Sequence, residues 1–383
     1  MIKHKKFGFL SHLDLNLYLF RTPIMRELLQ SGNIVYAICP KGEYNQSLSE
    51  VGVIVVNYEI DRKSINPFAE KKVIENIYIA IKNLRLDILH TFTAKPNIYG
   101  TFAGKRANIP VILNLVEGLG SFYVHNSIKN IIIRTIMERL YKKAFALSNG
   151  VVFVNNEDSK YMISKKIIDK NMVKVIKSVG VDITKFNLQN FSQDSLHNIK
   201  LKIGLQDKLI ILMVARAIWD KGIREYYECA DILKSKYSNI EFLLVGGTDN
   251  GNHACIDIDF LNSGSVKWLG HRDDIVELTA ICDIYVLPSY KEGLPVTLME
   301  ASAMSKPIVT TSTTGCREVV KDGYNGFLVP VKSSVELSKK IEILITNKDL
   351  RDTMGKNGRL IAQKEFDVKK IVKQYVEYYE KSI

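Results

Sequence analysis

The sequence predicts an α/β protein of two domains, each built around a doubly wound parallel β-sheet. Short, continuous apolar runs alternate with longer amphipathic segments along all 383 residues. Uninterrupted apolar strands are typical of parallel sheets that helices cover on both faces. The regular alternation of strand and helix indicates βαβ units. At roughly 150 residues per domain, the length accommodates two of them.

The first half contains short apolar runs that predict parallel strands. These predicted strands are Phe7–Leu10, Ile34–Cys39, Val53–Val56, Asp87–His90, Val111–Leu115, Val151–Val154 and Val173–Ile176. Two of the predicted helices between them are Pro23–Ser31, which starts at its proline, and Ile128–Ala146.

The second half repeats the pattern. Its predicted strands are Leu209–Ala215, Phe242–Val245, Val266–Leu269, Ile284–Leu287 and Pro307–Thr310, and its predicted helices are Gly222–Lys236, Asp273–Ala280, Pro295–Met304 and Ser334–Thr346. The polar stretch 187–198 is the expected linker between a first domain, 1–186, and a second, 199–366. The segment 367–383 is a predicted helix with one apolar side, and we expect it to cross back to the first domain.

Composition excludes several classes of protein. The five cysteines are scattered, with no CxxC pair, which argues against a disulfide framework or a structural zinc site and favours a reducing cytoplasm. The apolar run after the basic N-terminus is too short for a signal peptide, and no stretch approaches the roughly 20 apolar residues that span a bilayer. We therefore expect a cytoplasmic protein that is not inserted into a membrane.

The positive charge is confined to the first half. Residues 1–190 contain 27 Lys and Arg against 15 Asp and Glu, whereas the remainder contains 26 of each. Such asymmetry predicts an anionic partner for the first domain, unless it reflects only a lysine-rich genome. No nucleic-acid-binding module accompanies the charge, so we expect no nucleic acid partner. The predicted helix Ile128–Ala146 mixes cations with isoleucines; it fits either an anionic membrane surface or a helix packed on its own sheet.

The sequence Glu292-Gly-Leu-Pro-Val-Thr-Leu-Met-Glu300 has the features of an anion site. A strand ends just before it, and Pro295 suits the start of a helix. The backbone N–H groups of Val296 and Thr297 then have no partner within the helix and attract a phosphate. Gly293 allows the backbone of the loop to approach a ligand closely. Glu300, one turn into the helix, needs a polar partner such as a ribose diol, or else pairs with a neighbouring side chain.

Two cations follow the first predicted strand of the second domain. Arg216 and Lys221 leave its carboxyl end, and ligands bind at that edge in open α/β sheets. Arginine can bind a diphosphate through two parallel hydrogen bonds, and lysine adds a compact charge. Together with the helix start and the two glutamates, they predict a diphosphate site.

These residues resemble the family 4 glycosyltransferases, which are retaining enzymes with two facing Rossmann-like domains (the GT-B fold). The resemblance rests on Arg216…Lys221, Gly270-His-Arg272, Pro288-Ser289, Glu292-x7-Glu300 and Gly315-x-x-Glu318, and covers nearly the whole second half.

The resemblance implies a role for each matched residue. Arg216 and Lys221 would hold the diphosphate of a nucleotide-sugar donor, and Glu292 would contact the transferred sugar. Backbone N–H groups of Gly293, Leu294, Val296 and Thr297 would assist, and Glu300 would bind the ribose. His271 and Arg272 would lie near the base, and Gly246 belongs to the same donor site.

First-half motifs resemble one branch of the family, which adds an N-acetylhexosamine to an undecaprenyl-diphosphate-linked sugar in bacterial N-glycoprotein or surface-polysaccharide assembly. The motifs are Ser11-His12, Glu43-Tyr44, Ser64-Ile-Asn-Pro67, Val116-Glu-Gly-Leu-Gly-Ser-Phe-Tyr123 and Val175-Ile-Lys-Ser-Val-Gly180. The resemblance implies UDP-GalNAc as donor, α-linkage, and peripheral association with the inner face of the cell membrane. A different UDP-hexose donor is the alternative.

The first domain departs from the family in two places. Many members have a Gly-Gly pair after the first strand, where this chain has Ser11-His-Leu-Asp-Leu-Asn16, so the resemblance does not extend to contact of this loop with donor phosphate. Many members have a histidine where this chain has Glu117. We predict a catalytic or substrate-reading role for Glu117 over a structural one, because a Gly118-x-Gly120 turn follows it. His12, Gly118 and Gly120 are the predicted acceptor-side loop residues.

Two rival functions remain: a UDP-sugar 2-epimerase of similar architecture, and a non-catalytic glycan- or lipid-binding relative. The presence of Arg216, Lys221 and Glu292 argues against the second. Asp257-Ile-Asp259 resembles a metal-binding DxD, but it lies in a predicted surface helix without a glycine-rich strand end. We therefore expect neither a metal ion nor another cofactor.

Overall fold

The chain folds into two units. The computed structural model describes residues 2–61, 66–123, 127–249, 252 and 254–383; Ser64 and Ile65 of the first-half motifs lie outside these ranges. One unit comprises Met1–Val179 and Lys369–Ile383, and the other comprises Gly180–Val368. Residues 180–186 belong to the second unit rather than the first. The backbone N–H of Val181 donates to the carbonyl of Phe366 (2.7 Å), and the carbonyl of Val181 accepts from the backbone N–H of Val368 (3.0 Å).

The expected linker lies inside the second unit. Residues 187–198 contain the 3₁₀ turn Leu188–Asn190 and the beginning of the helix Gln193–Lys202. The side chain of Ser192 caps this helix by accepting from the backbone N–H of Ser195. The low apolar content of residues 187–198 therefore reflects a helix on the surface rather than a linker, because a solvated helix needs few large apolar residues.

The first unit contains a seven-stranded sheet in which every pairing is parallel. Its strands are β1 (Lys6–Leu10), β2 (Ile34–Cys39), β3 (Ile54–Asn57), β4 (Ile88–Phe92), β5 (Val111–Val116), β6 (Gly150–Phe153) and β7 (Val173–Val175). Its helices are α1 (Asp14–Gln30), α2 (Asn45–Glu50), α3 (Pro67–Ile81), α4 (Thr101–Arg106), α5 (Ile128–Phe145) and α6 (Asn156–Ser164). The strand order, β3-β2-β1-β4-β5-β6-β7, reverses direction between β1 and β4.

The second unit has the same design, with six parallel strands in the order β10-β9-β8-β11-β12-β13. The strands are β8 (Leu209–Val214), β9 (Ile240–Val245), β10 (Val266–Trp268), β11 (Ile284–Leu287), β12 (Ile308–Thr311) and β13 (Gly326–Val329). The helices are α7 (Gln193–Lys202), α8 (Ile223–Lys234), α9 (Ile258–Leu261), α10 (Ile275–Ile281), α11 (Val296–Ala303), α12 (Thr314–Val319), α13 (Ser334–Thr346) and α14 (Lys348–Ile361). Here the order reverses between β8 and β11, which places a ligand crevice at their carboxyl ends.

The C-terminal helix crosses back as expected. Helix α15 (Val368–Ser382) contributes all but its first residue to the first unit. Its Tyr375 and Tyr379 are fully buried, and the Tyr379 ring lies 5.4 Å from that of Phe7 on β1. The Tyr379 hydroxyl also hydrogen-bonds Nδ1 of His90 on β4 at 2.8 Å.

Several elements differ from the sequence-based expectation. Helix α1 begins at Asp14, so Pro23 lies inside it rather than at its start. A proline within a helix costs about 3 kcal/mol, and burial of the α1 face that includes Leu17, Ile24 and Leu28 offsets this cost. Strand β13 and helix α14 were not predicted. None of the helices in the described ranges is both long and apolar enough to cross a bilayer.

Close backbone approach at Gly246 generates a stability prediction. Gly246 has a φ of +144°, and a Cβ there would lie 1.8 Å from the Ala215 carbonyl oxygen. At neighbouring Gly247 the nearest atom to a Cβ would be 3.7 Å away. We expect Gly246→Ala to lower the melting temperature by roughly 5–10 °C, because strain of about 2–3 kcal/mol has this effect in a unit of this size.

Gly247→Ala is the matched control and should change the melting temperature by less than about 2 °C. Differential scanning calorimetry of the two variants measures the contrast. Equal melting temperatures would contradict the close approach of the loops that follow β8 and β9.

Candidate active site

Two loops meet at the carboxyl edge of the second sheet. One follows β8 and contains Lys221 and Gly222; the other follows β11 and begins at Pro288. Gly222 has a φ of +74°, and a Cβ there would lie 2.1 Å from the Pro288 carbonyl oxygen. The backbone N–H of Tyr290 donates to the Asp220 carbonyl at 2.9 Å. The two loops are therefore held against each other at the point where the strand order reverses.

Lys221 and Glu292 form an ion pair between these loops. Lys221 Nζ lies 2.6 Å from Glu292 Oε1, and the two side chains are only 19% and 12% exposed. The structure thus brings together two of the predicted site residues that are 71 positions apart in sequence. Because both charges are largely removed from water, their geometry is defined more tightly than that of an exposed pair.

The Tyr290 side chain anchors the loop after β11 to helix α8. Its hydroxyl lies 2.9 and 2.8 Å from the two carboxylate oxygens of Glu225, a buried residue of α8. Helix α8 begins directly after Gly222, so a single helix anchors both loops. Tyr290 and Glu225 were not predicted from the sequence, which gives no signal that joins them.

Gly315 fixes the loop around Glu292. Its backbone N–H donates to the Glu292 carbonyl at 3.3 Å, and a Cβ at this position would lie 2.5 Å from the Gly293 carbonyl oxygen. The predicted Gly315-x-x-Glu318 motif therefore acts in part through close packing of α12 on the loop. No side chain larger than glycine fits between them without displacing the loop.

Helix α11 begins where the sequence predicted an anion site. Pro295 is the N-cap rather than the first helical residue, and no side chain caps this helix start. The first helical residues, Val296 and Thr297, are half-buried, while the Leu294 side chain is buried in the core. An uncapped helix start presents unpaired N–H groups and a partial positive charge, which suit a phosphate oxygen.

Glu300 lies one turn further along α11. Burial raises the pKa of its carboxyl from 4.5 to about 7, although the charge of Lys185 acts in the opposite direction. No hydrogen bond to this carboxylate occurs within the described ranges, so the side chain is neither a cap nor a salt-bridge partner there. Its carboxylate remains able to accept from two hydroxyl groups.

Arg216 is on the same sheet edge but pairs with a different residue. Its guanidinium lies 2.7 Å from the carboxylate of Asp249, and the Arg216 side chain is 61% exposed. Asn252 also donates to Asp249, at 3.1 Å. The structure thus pairs Arg216 with Asp249, whereas Lys221 pairs with Glu292. Asp249 was not predicted, because it follows β9 and only the fold brings it beside the end of β8.

The remaining predicted donor-site residues lie at the ends of β9 and β10. The backbone N–H of Gly246 donates to the Gly270 carbonyl at 2.8 Å, which joins these two loops. His271 is exposed and lies 3.5 Å from Asp273. Arg272 makes two hydrogen bonds to Asp274, and these bonds lower the pKa of that carboxyl.

The first unit gathers polar side chains at its own point of strand reversal. Glu117, directly after β5, pairs with Arg21 of α1 and lies 3.3 Å from Asn16 Nδ2. His12, after β1, hydrogen-bonds Thr93, after β4. Arg21, Asn16 and Thr93 were not predicted.

The backbone at this edge is unusual. Thr93 has a φ of +74°, a conformation that is costly for a β-branched residue. The predicted turn glycines both have positive φ, +151° at Gly118 and +84° at Gly120. These two positions therefore need glycine for conformational reasons.

Comparison with known proteins assigns the family. The model of Glycosyl transferase 4-like proteins matches residues 8–156, and that of Glycosyl transferases group 1 matches residues 197–361. The N,N'-diacetylbacillosaminyl-diphospho-undecaprenol alpha-1,3-N-acetylgalactosaminyltransferase of Campylobacter jejuni is 39% identical over 378 residues, covering 99% of each chain. The chain belongs to the family 4 glycosyltransferases.

This glycosyltransferase is also similar to a second curated protein and to a solved structure. The UDP-Gal:alpha-D-GlcNAc-diphosphoundecaprenol alpha-1,3-galactosyltransferase of Escherichia coli is 24% identical over 324 residues, covering 83% of this chain and 81% of the other. The crystal structure of Anabaena HepE in complex with UDP and glucose has a TM-score of 0.81 and 20% identity, covering 99% of this chain and all of the other. The GT-B fold expected from the sequence is confirmed.

The raised pKa of Glu300 predicts how the stability of the glycosyltransferase depends on pH. Between about pH 4.5 and pH 7 the unfolded chain loses the Glu300 proton and the folded chain retains it. Stability therefore falls as pH rises through this range and then levels off. Relative to Glu300→Gln, wild type should lose about 1–2 kcal/mol of unfolding free energy between about pH 5 and about pH 8.

Urea denaturation at both pH values measures this difference. Glu336→Gln is the control, because Lys339 lowers the pKa of Glu336 and that residue gives no loss over the same range. A wild-type curve parallel to that of Glu300→Gln would show that Glu300 ionises normally.

Proposed function

We propose that this glycosyltransferase transfers GalNAc from UDP-GalNAc, with retention of configuration, to an undecaprenyl-diphosphate-linked sugar. The observation that carries the proposal is the full-length match to the C. jejuni enzyme, whose name states both this transferred sugar and this type of acceptor. The E. coli relative likewise acts on a diphosphoundecaprenol-linked sugar. The assembled product would be an N-linked or surface glycan.

The geometry of the second unit supports a UDP-sugar donor. We propose that the diphosphate lies against the uncapped start of α11 and that Lys221 supplies positive charge beside it. Glu300, with no hydrogen-bond partner in the described part of the chain, accepts from the two ribose hydroxyls. Glu292 contacts the transferred sugar, and its ion pair with Lys221 fixes the position of the sugar site relative to the diphosphate site.

Arg216 adds a second cation, which is more exposed than Lys221. In its pair with Asp249 the Arg216 side chain is 61% exposed, and a solvent-exposed pair contributes at most about 1 kcal/mol. The guanidinium can therefore exchange Asp249 for a donor phosphate, to which it offers two parallel hydrogen bonds. We propose that His271 and Arg272, which follow β10 on the same edge, contact the base.

The chemistry needs no separate base. The acceptor hydroxyl oxygen forms a bond to the anomeric carbon as the bond from that carbon to the β-phosphate oxygen breaks. UDP departs with the bonding electrons, and the acceptor proton passes to the departing phosphate. Lys221, Arg216 and the helix start stabilise the developing negative charge. Since protein groups supply this charge, we propose that transfer requires no metal ion.

Transfer to a lipid-linked acceptor is the direct test. We expect radiolabel from UDP-GalNAc, more than from UDP-GlcNAc, UDP-Gal or UDP-Glc, to appear in an undecaprenyl-diphosphate-linked acetamido sugar, and to do so in EDTA. Anomeric NMR of the product establishes linkage. Conversion of a UDP-N-acetylhexosamine into its C2 epimer without acceptor would favour an epimerase, and preference for another donor would overturn the assignment of GalNAc.

Site variants control the same assay. Lys221→Ala should reduce kcat roughly 100-fold or more, because it removes charge stabilisation in the transition state. Lys339→Ala removes a similar Lys–Glu pair, 2.7 Å long, at an exposed helix position and should leave kcat unchanged. Equal activity of the two variants would contradict the donor site.

We also propose that helix α5 places the enzyme on an anionic membrane at the inner face of the cell membrane. One part of its surface carries isoleucines that are about half or more exposed: Ile128 79%, Ile131 47%, Ile132 56% and Ile136 51%. Arg139, Lys142 and Lys143 are exposed nearer its C-terminal end. Its other side, with Tyr141 and Phe145, is buried in the first unit.

This surface fits a bilayer of anionic lipid. The isoleucines would enter the region between headgroups and acyl chains, and each cation would contribute about 1 kcal/mol near anionic headgroups. The excess charge of the first half of the chain has the same sign as these cations.

Flotation with vesicles tests the membrane surface. Wild type should float with phosphatidylglycerol-containing vesicles at low salt and much less with phosphatidylcholine alone. Ile132→Ser with Ile136→Ser should reduce binding about tenfold or more, because two inserted side chains are lost. Ile79→Ser is the control, since Ile79 is 54% exposed on α3. Equal binding of all variants, or none by wild type, would remove the proposal.

A further inference from the structure

Arg21 is a buried cation in the first unit. It lies on α1 among apolar residues, and its side chain is only 1% exposed. The guanidinium carbon lies 4.5 Å from the centre of the Phe92 ring on β4. A buried charge is strongly unfavourable unless it is paired, so the partner of Arg21 is under an unusual constraint.

The partner of Arg21 is Glu117. Arg21 Nη2 contacts Glu117 Oε1, and Nε and Nη1 have no hydrogen-bond partner in the described ranges. The Glu117 side chain is 28% exposed, so this carboxylate is reached both by the buried cation and by solvent. The salt bridge therefore joins the protein interior to the carboxyl edge of the sheet.

A second side chain restricts the same carboxylate. Asn16 Nδ2 lies 3.4 and 3.3 Å from the two oxygens of Glu117. Asn16 Oδ1 in turn accepts from the Ser11 hydroxyl at 3.4 Å, at the end of β1. Glu117 is thus held by two residues of α1, and the loop after β1 acts on it only through the contact of Ser11 with Asn16.

The C-terminal helix brings two buried tyrosines within electrostatic reach of Arg21. Tyr375 and Tyr379 are fully buried; burial raises the pKa of both hydroxyls, and the charge of Arg21 acts in the opposite direction. His90 beside them is also buried, and burial, reinforced by Arg21, lowers its pKa well below the usual value. His90 is therefore neutral, and Arg21 remains the cation of this cluster, with Glu117 as its counter-charge.

We infer that Arg21 is a positioning residue that fixes Glu117 as a hydrogen-bond acceptor for the acceptor sugar. A carboxylate held in this way accepts from a hydroxyl or an acetamido N–H and disfavours a sugar that carries a carboxylate. The inference rests on the proposed transferase function. It goes beyond that function, because it assigns the recognition of the acceptor to a pair in which one member is buried and cannot touch the substrate.

A double-mutant cycle tests the pair. Arg21→Met removes the charge and keeps an apolar side chain of similar length. It should raise the acceptor KM about tenfold, while the KM for the UDP-sugar stays within twofold. Glu117→Gln should raise the acceptor KM at least as much. Adding Arg21→Met to Glu117→Gln should cause no further rise, because coupled residues are not additive.

Two other variants complete the design. Arg26→Met changes an exposed arginine of the same helix and should leave both KM values unchanged. Arg21→Lys retains the charge without the forked geometry, so its acceptor KM should lie between those of wild type and Arg21→Met. It also serves as the test if Arg21→Met does not fold.

The outcomes separate this inference from the proposed function. The inference would be overturned if Arg21→Met changed the donor and acceptor KM equally. It would also be overturned if Arg21→Met raised the acceptor KM by the same factor in wild type and in Glu117→Gln, because Arg21 would then be merely structural. A Glu117→Gln variant with wild-type acceptor KM would also overturn it, with transfer itself intact. Absence of transfer from any UDP-sugar by wild type would instead refute the proposed function.

Discussion

Both units depend on the same constraint, which is the parallel pairing of strands whose order reverses near the middle of the sheet. Parallel strands place all their carboxyl ends on one edge, and the reversal sends adjacent connections to opposite faces. A crevice opens between β1 and β4 in one unit and between β8 and β11 in the other. Polar residues far apart in sequence therefore meet, as Lys221 and Glu292 do in the second unit.

Close approach of loops converts this edge into a defined site. Gly222, Gly246 and Gly315 each bring a backbone segment so near to another that a Cβ would overlap a carbonyl oxygen. The loops that carry Lys221 and Glu292 consequently have little freedom to separate. Rigid loops hold a charged pair at one distance, which is the condition for stabilising charge that develops during a reaction.

Each unit also holds a carboxylate at its reversal point by means of a cation. In the second unit the two members are almost equally exposed, whereas in the first the cation is buried and the carboxylate is partly exposed. Breaking a buried pair leaves an uncompensated charge in the interior. The first-unit pair is therefore the more strongly constrained, and the C-terminal helix adds two buried tyrosines, Tyr375 and Tyr379, whose hydroxyls interact with the charge of Arg21.

The candidate site on the second sheet edge could be predicted from local patterns. Apolar runs identified most strands. Glu292 to Glu300 lie within one loop and one helix, so residues that are close in sequence here are also close in the structure. Helix α14 and strand β13 were missed. In β13 only the two end residues are buried, and in α14 the polar surface outweighs a narrow buried stripe that includes Met354 and Ile361. Local composition alone was a weak signal for both.

The sequence by itself determined the class of fold, the family and the residues at the helix start, because these follow from periodicity and short-range motifs. Only the tertiary structure decided which charges meet. Arg216 pairs with Asp249, Lys221 with Glu292, and Arg21 with Glu117, since pairing across a sheet edge depends on strand order. The boundary of the units likewise follows from hydrogen bonds between residues near 181 and 367, which no local pattern encodes.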